Sequence, residues 1–171
     1  MVRGRSEPMA TEPNDLYSRD FYAWTREQAQ ALRAAANRHS NSVAQVDWAH
    51  VAEEVEDLGN EQRHAVESQL ERLMVHLLEL QHSPSARPRF GWQRSVLSAR
   101  AAIAARWSPA LARAVEPRLE TIYRRARKMA ASELQEHEEF AAAEALPADR
   151  PYTLEQLRDE NWYPAEPDRT A

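Results

Sequence analysis

The strongest constraint on the fold is an apolar repeat in the middle of the chain. Apolar side chains recur there every three or four positions, which is the period of an α-helix. The repeat consists of Val66, Leu70, Leu73, Met74, Leu77 and Leu78. A helix with such a stripe must bury it against other elements. The whole chain has only 3 glycines in 171 residues, and its abundant alanine, glutamate, arginine and leucine favour helices. The sequence therefore predicts an all-α fold, a single-domain bundle of four to five main helices.

Capping residues divide the chain into its predicted helices. Asp15 or Asp20 is the expected N-cap of the first helix and Asp47 that of the second, because a side-chain oxygen at this position accepts a backbone N–H. Gly59 is expected to end the second helix, since glycine is the commonest residue just beyond a helix C-terminus. Ser108 directly precedes a proline, the residue favoured at the first helical position, and is expected to cap a later helix.

The two ends of the chain are predicted to differ from its middle. The predicted divisions are a flexible N-terminal tail (1–14), a helical-bundle domain (15–164) and a disordered C-terminal end (165–171). Both Met1 and Met9 fit as the native start. Thr153 and Gln156 have the spacing of a capping box, which predicts a short C-terminal capping helix followed by an extended tail.

Composition excludes several kinds of chemistry. The chain has no cysteine, which rules out disulfides, thiolate metal ligands and cysteine nucleophiles. It also has neither a Gly-x-Ser-x-Gly motif nor a glycine-rich phosphate loop, so two common catalytic frameworks are missing. No apolar run approaches the roughly 20 residues that span a bilayer. We therefore expect a cytoplasmic protein without a membrane partner.

Four stretches of the sequence resemble a known family. They are "LYSRDFYAWTREQAQALR", "DWAHVAEEVEDLG", "HLLELQ" and "PYTLEQLRDENWYP", in this order. In combination they are similar to the bacterial domain-of-unknown-function family numbered 29, and the similarity extends from Leu16 to Pro164. The resemblance implies a helical fold. It implies no activity, cofactor or catalytic residue, because none is established for that family.

Two Glu-x-x-His motifs raise the question of a metal site. Glu61 with His64, and Glu79 with His82, match the spacing that di-metal helical bundles use, where each of two helices supplies one copy. Both copies here fall on the same predicted helix, 18 residues apart, which is about 27 Å along a helix. They cannot share a centre, so the sequence predicts no metal and no cofactor.

Glu54 and His76 are the weak catalytic candidates. Each lies at the border between the apolar and polar sides of its predicted helix. If the two helices face each other across a cleft, this pair supplies a general base or a metal site. The alternative is that both are hydrogen-bonded polar residues at a helix seam. The first interpretation predicts a metal-dependent or acid–base enzyme.

Charge is strongly segregated along the sequence. Asp47–Gln81 has nine acidic residues against two arginines, Arg87–Lys128 has eleven basic residues against two glutamates, and Glu133–Asp168 is again acidic. The basic segment can bind phosphates, which makes an RNA- or DNA-binding protein one alternative. Its candidate residues are Arg94, Arg100, Arg106 and Arg113. The other interpretation is intramolecular, with acidic and basic helices paired at their seams. The sequence pI near 5.7 argues against a dedicated nucleic-acid binder.

Large aromatic residues crowd the first helix and the C-terminal tail. Phe21, Trp24, Gln28 and Leu32 share one side of the first predicted helix, which we expect at the edge of the core. Amphipathic rings nevertheless favour interfaces. The predicted interaction patch comprises Tyr17, Tyr22, Trp24, Tyr152 and Trp162. The leading functional prediction is therefore a non-catalytic interaction or adaptor module that binds an unidentified protein partner or a second copy of itself as a homodimer.

Overall fold

The computed structural model describes residues 15–38, 46–86 and 88–165, and in these ranges it consists of helices and turns without a strand. The helices are α1 (Leu16–Arg19), α2 (Phe21–Arg38), α3 (Trp48–His82), α4 (Arg89–Ala104), α5 (Pro109–Val115), α6 (Leu119–Glu136), α7 (Phe140–Glu144) and α8 (Leu154–Arg158). A 3-10 turn at Glu116–Arg118 joins α5 to α6. The predicted all-α class is confirmed, and the predicted tail 1–14 lies outside the described residues.

The chain divides into two compact units. The N-terminal unit comprises residues 1–59 and the C-terminal unit comprises residues 60–171. Helix α3 is continuous across position 59, so it supplies one segment to each unit. The single domain at residues 15–164 stays a prediction.

The predicted helix starts are confirmed at four positions. Asp20, Asp47, Ser108 and Thr153 each accept a hydrogen bond from the backbone N–H three residues downstream, at 3.0–3.2 Å. At Thr153 the backbone N–H also donates to Gln156 Oε1 at 2.9 Å, which completes the predicted capping box. These caps satisfy N–H groups that have no partner within their own helix.

Gly59 does not end a helix, contrary to the prediction. It lies inside α3, where a Cβ atom would overlap the hydroxyl of Thr25 on α2 and would lie 3.3 Å from Thr25 Cβ. Thr25 is fully buried and its hydroxyl donates to the carbonyl oxygen of Tyr22 at 2.9 Å. The glycine therefore allows α2 and this part of α3 to approach closely. A glycine used for close approach looks the same in a sequence as one that ends a helix.

Replacing Gly59 by alanine is expected to destabilise the protein by about 1–2 kcal/mol, because the new methyl group overpacks a filled site. Gly91 is a matched control, since it is also helical and a Cβ atom there meets no neighbour within 4 Å. Gly91→Ala is expected to stabilise by up to about 1 kcal/mol through helix propensity. Urea denaturation of both variants measures the difference, and equal effects at the two positions would contradict this role for Gly59.

The buried side of α2 is shifted by one position from the predicted stripe. The buried residues of this helix are Tyr22, Thr25 and Ala29. Phe21 and Trp24, which the sequence placed on the core side, are only half-buried. Thr25 and Ala29 are small residues. Thr25 contacts α3 at Gly59, where there is no room for a larger side chain. The prediction gave weight to large rings, whereas this interface selects small side chains.

The C-terminal unit has its core on α3. All six residues of the apolar repeat between Val66 and Leu78 are fully buried, as predicted. Other buried residues come from α4, α5, α6 and the C-terminal tail. They include Val96, Ile103, Leu111, Leu119, Ile122, Tyr123, Leu134 and Leu157. This shared core fixes α3 against α6, the two helices that carry the site described below.

Ion pairs mark the seam between α3 and α6. Arg118, in the 3-10 turn that leads into α6, has its Nε 2.6 Å from Glu67 Oε1. Arg125 on α6 has its Nε 2.5 Å from Glu71 Oε2. The pair with the higher residue number on α3 also has the higher residue number on the α6 side. The two helices α3 and α6 therefore run parallel. Both arginine side chains are about half exposed, and such pairs stabilise by only about 0–1 kcal/mol each. Their main effect is to match an acidic helix with a basic one.

Candidate metal centre

Three side chains that can bind a metal ion converge where α3 and α6 lie side by side. His76 and Glu79 are three positions apart on α3 and therefore share a face of that helix. Glu133 comes from the last turn of α6. Each residue offers one ligand atom, and these three atoms lie within 4.8 Å of one another. The parallel packing of α3 on α6 thus assembles residues that are distant in sequence.

The cluster is largely withdrawn from solvent. The Glu79 side chain is 1% exposed and that of His76 is 16% exposed, while Glu133 is half-buried. His76 Nδ1 lies 2.6 Å from Glu79 Oε2, a hydrogen-bonding distance. Carboxylate oxygens of Glu79 and Glu133 lie within 4.8 Å of each other. Buried polar groups require such partners, because an unpaired one loses its hydration without compensation.

Burial changes the protonation of this cluster. It raises the pKa of Glu79 to about 7, with the charge of Glu139 as a further cause. It also raises the pKa of Glu133 to about 7, and the adjacent Glu79 carboxylate adds to the effect. Burial lowers the pKa of His76, despite its contact with Glu79. The imidazole is therefore neutral at pH 7, which is the form that binds metal ions.

Glu139 is held next to this cluster by the turn after α6. Glu138 adopts the left-handed conformation, with φ 62°, and the N–H of Glu139 donates to the carbonyl oxygen of Leu134 at 2.9 Å. This is the hydrogen-bond pattern that closes many helix C-termini. Glu139 Oε1 then accepts hydrogen bonds from the hydroxyls of Ser83 and Ser85. The turn directs a further negative charge towards the α3 carboxylate.

A cleft of about 290 Å³ gives solvent access to the cluster. His76 and Glu133 line it, together with Ser68, Glu71, Arg72, Val75 and Met129. Glu79 is almost fully buried beneath them. A ligand held by the cluster would therefore contact protein on one side and face the cleft on the other.

The residues fit a divalent transition metal. Two ligands of a tetrahedral ion are about 3.4 Å apart, since each bond is about 2.1 Å long. The spread of up to 4.8 Å thus requires the ligand atoms to approach one another by at most about 1.4 Å. One imidazole and two carboxylates suit Zn²⁺, Fe²⁺ or Mn²⁺, whereas Mg²⁺ and Ca²⁺ prefer oxygen ligands alone. In the described residues, this is the group that meets the spacing of a metal site.

The predicted pairing of Glu54 with His76 is wrong. It required two helices that face each other, but both residues belong to α3. His76 instead contacts Glu79 and lies near Glu133, a residue that no sequence motif marks. The Glu-x-x-His motif pairs Glu79 with His82, three residues after it. The spacing that brings two ligands together is instead His76-x-x-Glu79, which lies on the N-terminal side of Glu79. No local pattern in the sequence indicates Glu133.

Arg100 is not part of an exposed basic surface. It is 2% exposed, and its guanidinium donates to the backbone carbonyl oxygens of Gln156, Leu157, Glu160 and Trp162. Its function is to hold the C-terminal tail, so it is unavailable to a nucleic acid. The other three predicted contacts, Arg94, Arg106 and Arg113, are exposed.

The five residues of the predicted aromatic patch fall into two clusters, one in each unit. In the N-terminal unit Tyr17 packs edge-on against Trp24, with ring centroids 4.8 Å apart, and is 56% exposed. In the C-terminal unit Trp162 packs against Tyr152, with ring centroids 5.6 Å apart. Tyr22 and Tyr152 are buried, so neither is available to a partner.

Glu54 borders a separate apolar groove in the N-terminal unit. Its floor is formed by Val51, Val55 and Leu58, which follow one face of α3, and its volume is about 330 Å³. Val51 is 39% exposed and Leu58 48% exposed. The carboxyl groups of Asp47 and Glu54 lie at its edges. The groove combines exposed apolar area with negative charge.

None of the described helices has both the length and the apolar character needed to cross a bilayer.

Comparisons with known proteins agree with this fold. No curated protein matches the chain. A crystal structure of an alpha-helical protein of unknown function from Rhodospirillum rubrum is similar, with a TM-score of 0.74 and 26% sequence identity over 85% of this chain and 90% of that one. The family model "Domain of unknown function DUF29" matches residues 16–163, and the chain therefore belongs to that family.

Proposed function

We propose that this protein binds one divalent transition-metal ion through His76, Glu79 and Glu133. The observation that supports the proposal is the convergence of one imidazole and two carboxylates within 4.8 Å at the base of a cleft. Two carboxylates and a neutral imidazole balance the charge of a 2+ ion. The ion would also replace the contact between His76 Nδ1 and Glu79 Oε2.

The cluster supplies three protein ligands, and this number is typical of sites that act on a bound molecule. Structural metal sites are usually closed by four protein ligands, whereas catalytic ones retain an open position. An ion held here would supply Lewis acidity towards an oxygen atom in the open position. His76 and Glu133 border the cleft, so they would direct that position towards solvent. Glu79, beneath them, would anchor the ion from the protein side.

Isothermal titration calorimetry of the metal-free full chain tests the proposal, with Zn²⁺, Mn²⁺ and Mg²⁺ as separate titrants. We expect one Zn²⁺ per chain, weaker Mn²⁺ binding and weaker Mg²⁺ binding still. Glu79→Gln is expected to weaken Zn²⁺ binding at least 100-fold, because it removes the most buried ligand. Glu136→Gln is the matched control on an exposed residue near the end of α6. Equal Zn²⁺ affinity in the Glu79→Gln and Glu136→Gln variants would contradict the proposal.

We propose as a second candidate that the N-terminal unit is an interaction module. The supporting observation is the exposed apolar groove of Val51, Val55 and Leu58. Asp47 and Glu54 at its edges favour a partner of opposite charge. An amphipathic helix with basic residues beside its apolar face has the required chemistry, since such helices dock in apolar grooves.

A short helical peptide of alternating leucine and lysine blocks serves as the probe for this second candidate. Leu58→Ser is expected to weaken its binding at least fivefold, as measured by fluorescence anisotropy of the labelled peptide. Leu97→Ser is the control, because Leu97 on α4 is 51% exposed against 48% for Leu58. If both substitutions reduce affinity equally, the peptide does not recognise the groove and this candidate is excluded.

A further inference from the structure

We infer that the cleft above His76 and Glu133 takes a small oxyanion, a carboxylate or a phosphate ester, which binds between the metal ion and Arg72. This inference rests on the proposed metal site. It adds the class of molecule on which that site acts. Its evidence comes from the charges and walls of the cleft rather than from the metal ligands.

Arg72 is the cation of the cleft. It lines the cavity together with His76, it is exposed, and its charge acts on the His76 imidazole. Among the described residues no carboxylate lies within ion-pair distance of it. Its neighbour Glu71 is instead engaged by Arg125 at 2.5 Å. The guanidinium therefore keeps donors for a ligand, and its planar fork suits oxyanions.

The charges around the cleft favour a single negative charge in the ligand. A 2+ ion is balanced by the carboxylates of Glu79 and Glu133, and Glu71 is balanced by Arg125. Of the charged groups that line the cleft, Arg72 then remains without a counterion, whereas Glu139 lies outside this lining. An oxyanion that places one oxygen on the ion and another on Arg72 neutralises the charge of this arginine.

The walls of the cleft limit the size of the ligand. Its volume of about 290 Å³ lies just below the range for small-molecule sites, about 300–1,000 Å³. Val75 and Met129 provide apolar surface, and Ser68 provides a hydroxyl group. This combination suits a short apolar chain attached to the oxyanion rather than a large polar molecule such as a nucleotide.

Calorimetric titration of the zinc-loaded full chain tests this inference, with butyrate and methylphosphonate as separate probes. The two probes distinguish a carboxylate from a phosphoryl ligand, and 1-butanol is the uncharged control. We expect one of the two anions to bind with 1:1 stoichiometry and 1-butanol not to bind. Arg72→Gln is expected to weaken the binding of that anion at least tenfold without weakening Zn²⁺ binding, because it removes a positive charge near the ion.

Arg124→Gln is the matched control, since Arg124 is also exposed but lies on α6 outside the cleft. Equal anion affinity in the Arg72→Gln and Arg124→Gln variants would overturn the inference. So would a chain that takes up one Zn²⁺ but binds neither anion, and this outcome would leave the metal site intact. A chain that takes up no Zn²⁺ would overturn the metal site and the oxyanion site together.

Discussion

Replacing Arg100 by alanine is expected to lower the free energy of unfolding by about 3 kcal/mol and to detach the C-terminal tail. The guanidinium donates to the carbonyl oxygens of Leu157 at 3.0 Å and Trp162 at 2.8 Å, and to two further tail carbonyls. Hydrogen bonds from a charged donor contribute about 1.5–3 kcal/mol each. The expected loss is smaller than the sum of these four contributions, because the carbonyl groups of a released tail form hydrogen bonds with water.

Two control variants separate this clamp from a general effect of charge. Arg94 lies on the same helix but is exposed, so Arg94→Ala is expected to change stability by less than about 0.5 kcal/mol. Arg100→Lys retains the charge but cannot reach several carbonyl groups at once, and we expect an intermediate loss. Urea denaturation followed by tryptophan fluorescence measures all three. A loss below 1 kcal/mol in Arg100→Ala would show that the tail is held by its apolar contacts alone.

Metal-free protein is expected to lose about 3 kcal/mol of stability between pH 5 and pH 8 through the Glu79–Glu133 pair. Folding raises the pKa of both carboxyl groups from 4.5 to about 7. In that interval the folded chain holds a proton that the unfolded chain has released. The resulting stability is fully present below about pH 4.5 and is lost as the pH rises through 7. One shared proton shifted by about 2.5 pKa units corresponds to about 3 kcal/mol.

The double variant Glu79→Gln/Glu133→Gln isolates this effect, because amides do not titrate. Urea denaturation in the presence of a chelator is compared at pH 5 and pH 8 in both proteins. Burial lowers the pKa of His76 and of His82, which acts in the opposite sense, but both histidines remain in the variant and cancel in the comparison. The wild type is expected to lose about 3 kcal/mol more than the variant. Equal losses would mean that the two carboxyl groups titrate normally in the folded protein.

The helices were predictable from the sequence because their signals are local. The repeat between Val66 and Leu78 is buried as expected, and four predicted caps accept the hydrogen bonds expected of them. The error at Gly59 was of a different kind. The choice between a helix end and a close helix contact depends on Thr25, which lies on another helix. No pattern around Gly59 carries that information.

The site was only partly predictable for the same reason. His76 was recognised from its border position, but Glu133 approaches it only because α3 and α6 pack in parallel. Arg100 shows the opposite error. Its place in a basic segment suggested an exposed surface, whereas its burial depends on a tail about 60 residues further along the chain. Charge counts along a sequence do not distinguish an arginine that faces solvent from one that binds carbonyl groups.

The most direct test of the metal centre is crystallographic. Crystals of the full chain grown with Zn²⁺ are measured at the zinc absorption edge, and an anomalous difference map locates the ion. We expect one strong peak bonded to a ring nitrogen of His76 and to carboxylate oxygens of Glu79 and Glu133, at about 2.0–2.2 Å. A peak found instead at the exposed pair of Asp47 and His50, or no peak within coordination distance of Glu79, would contradict a metal centre between α3 and α6.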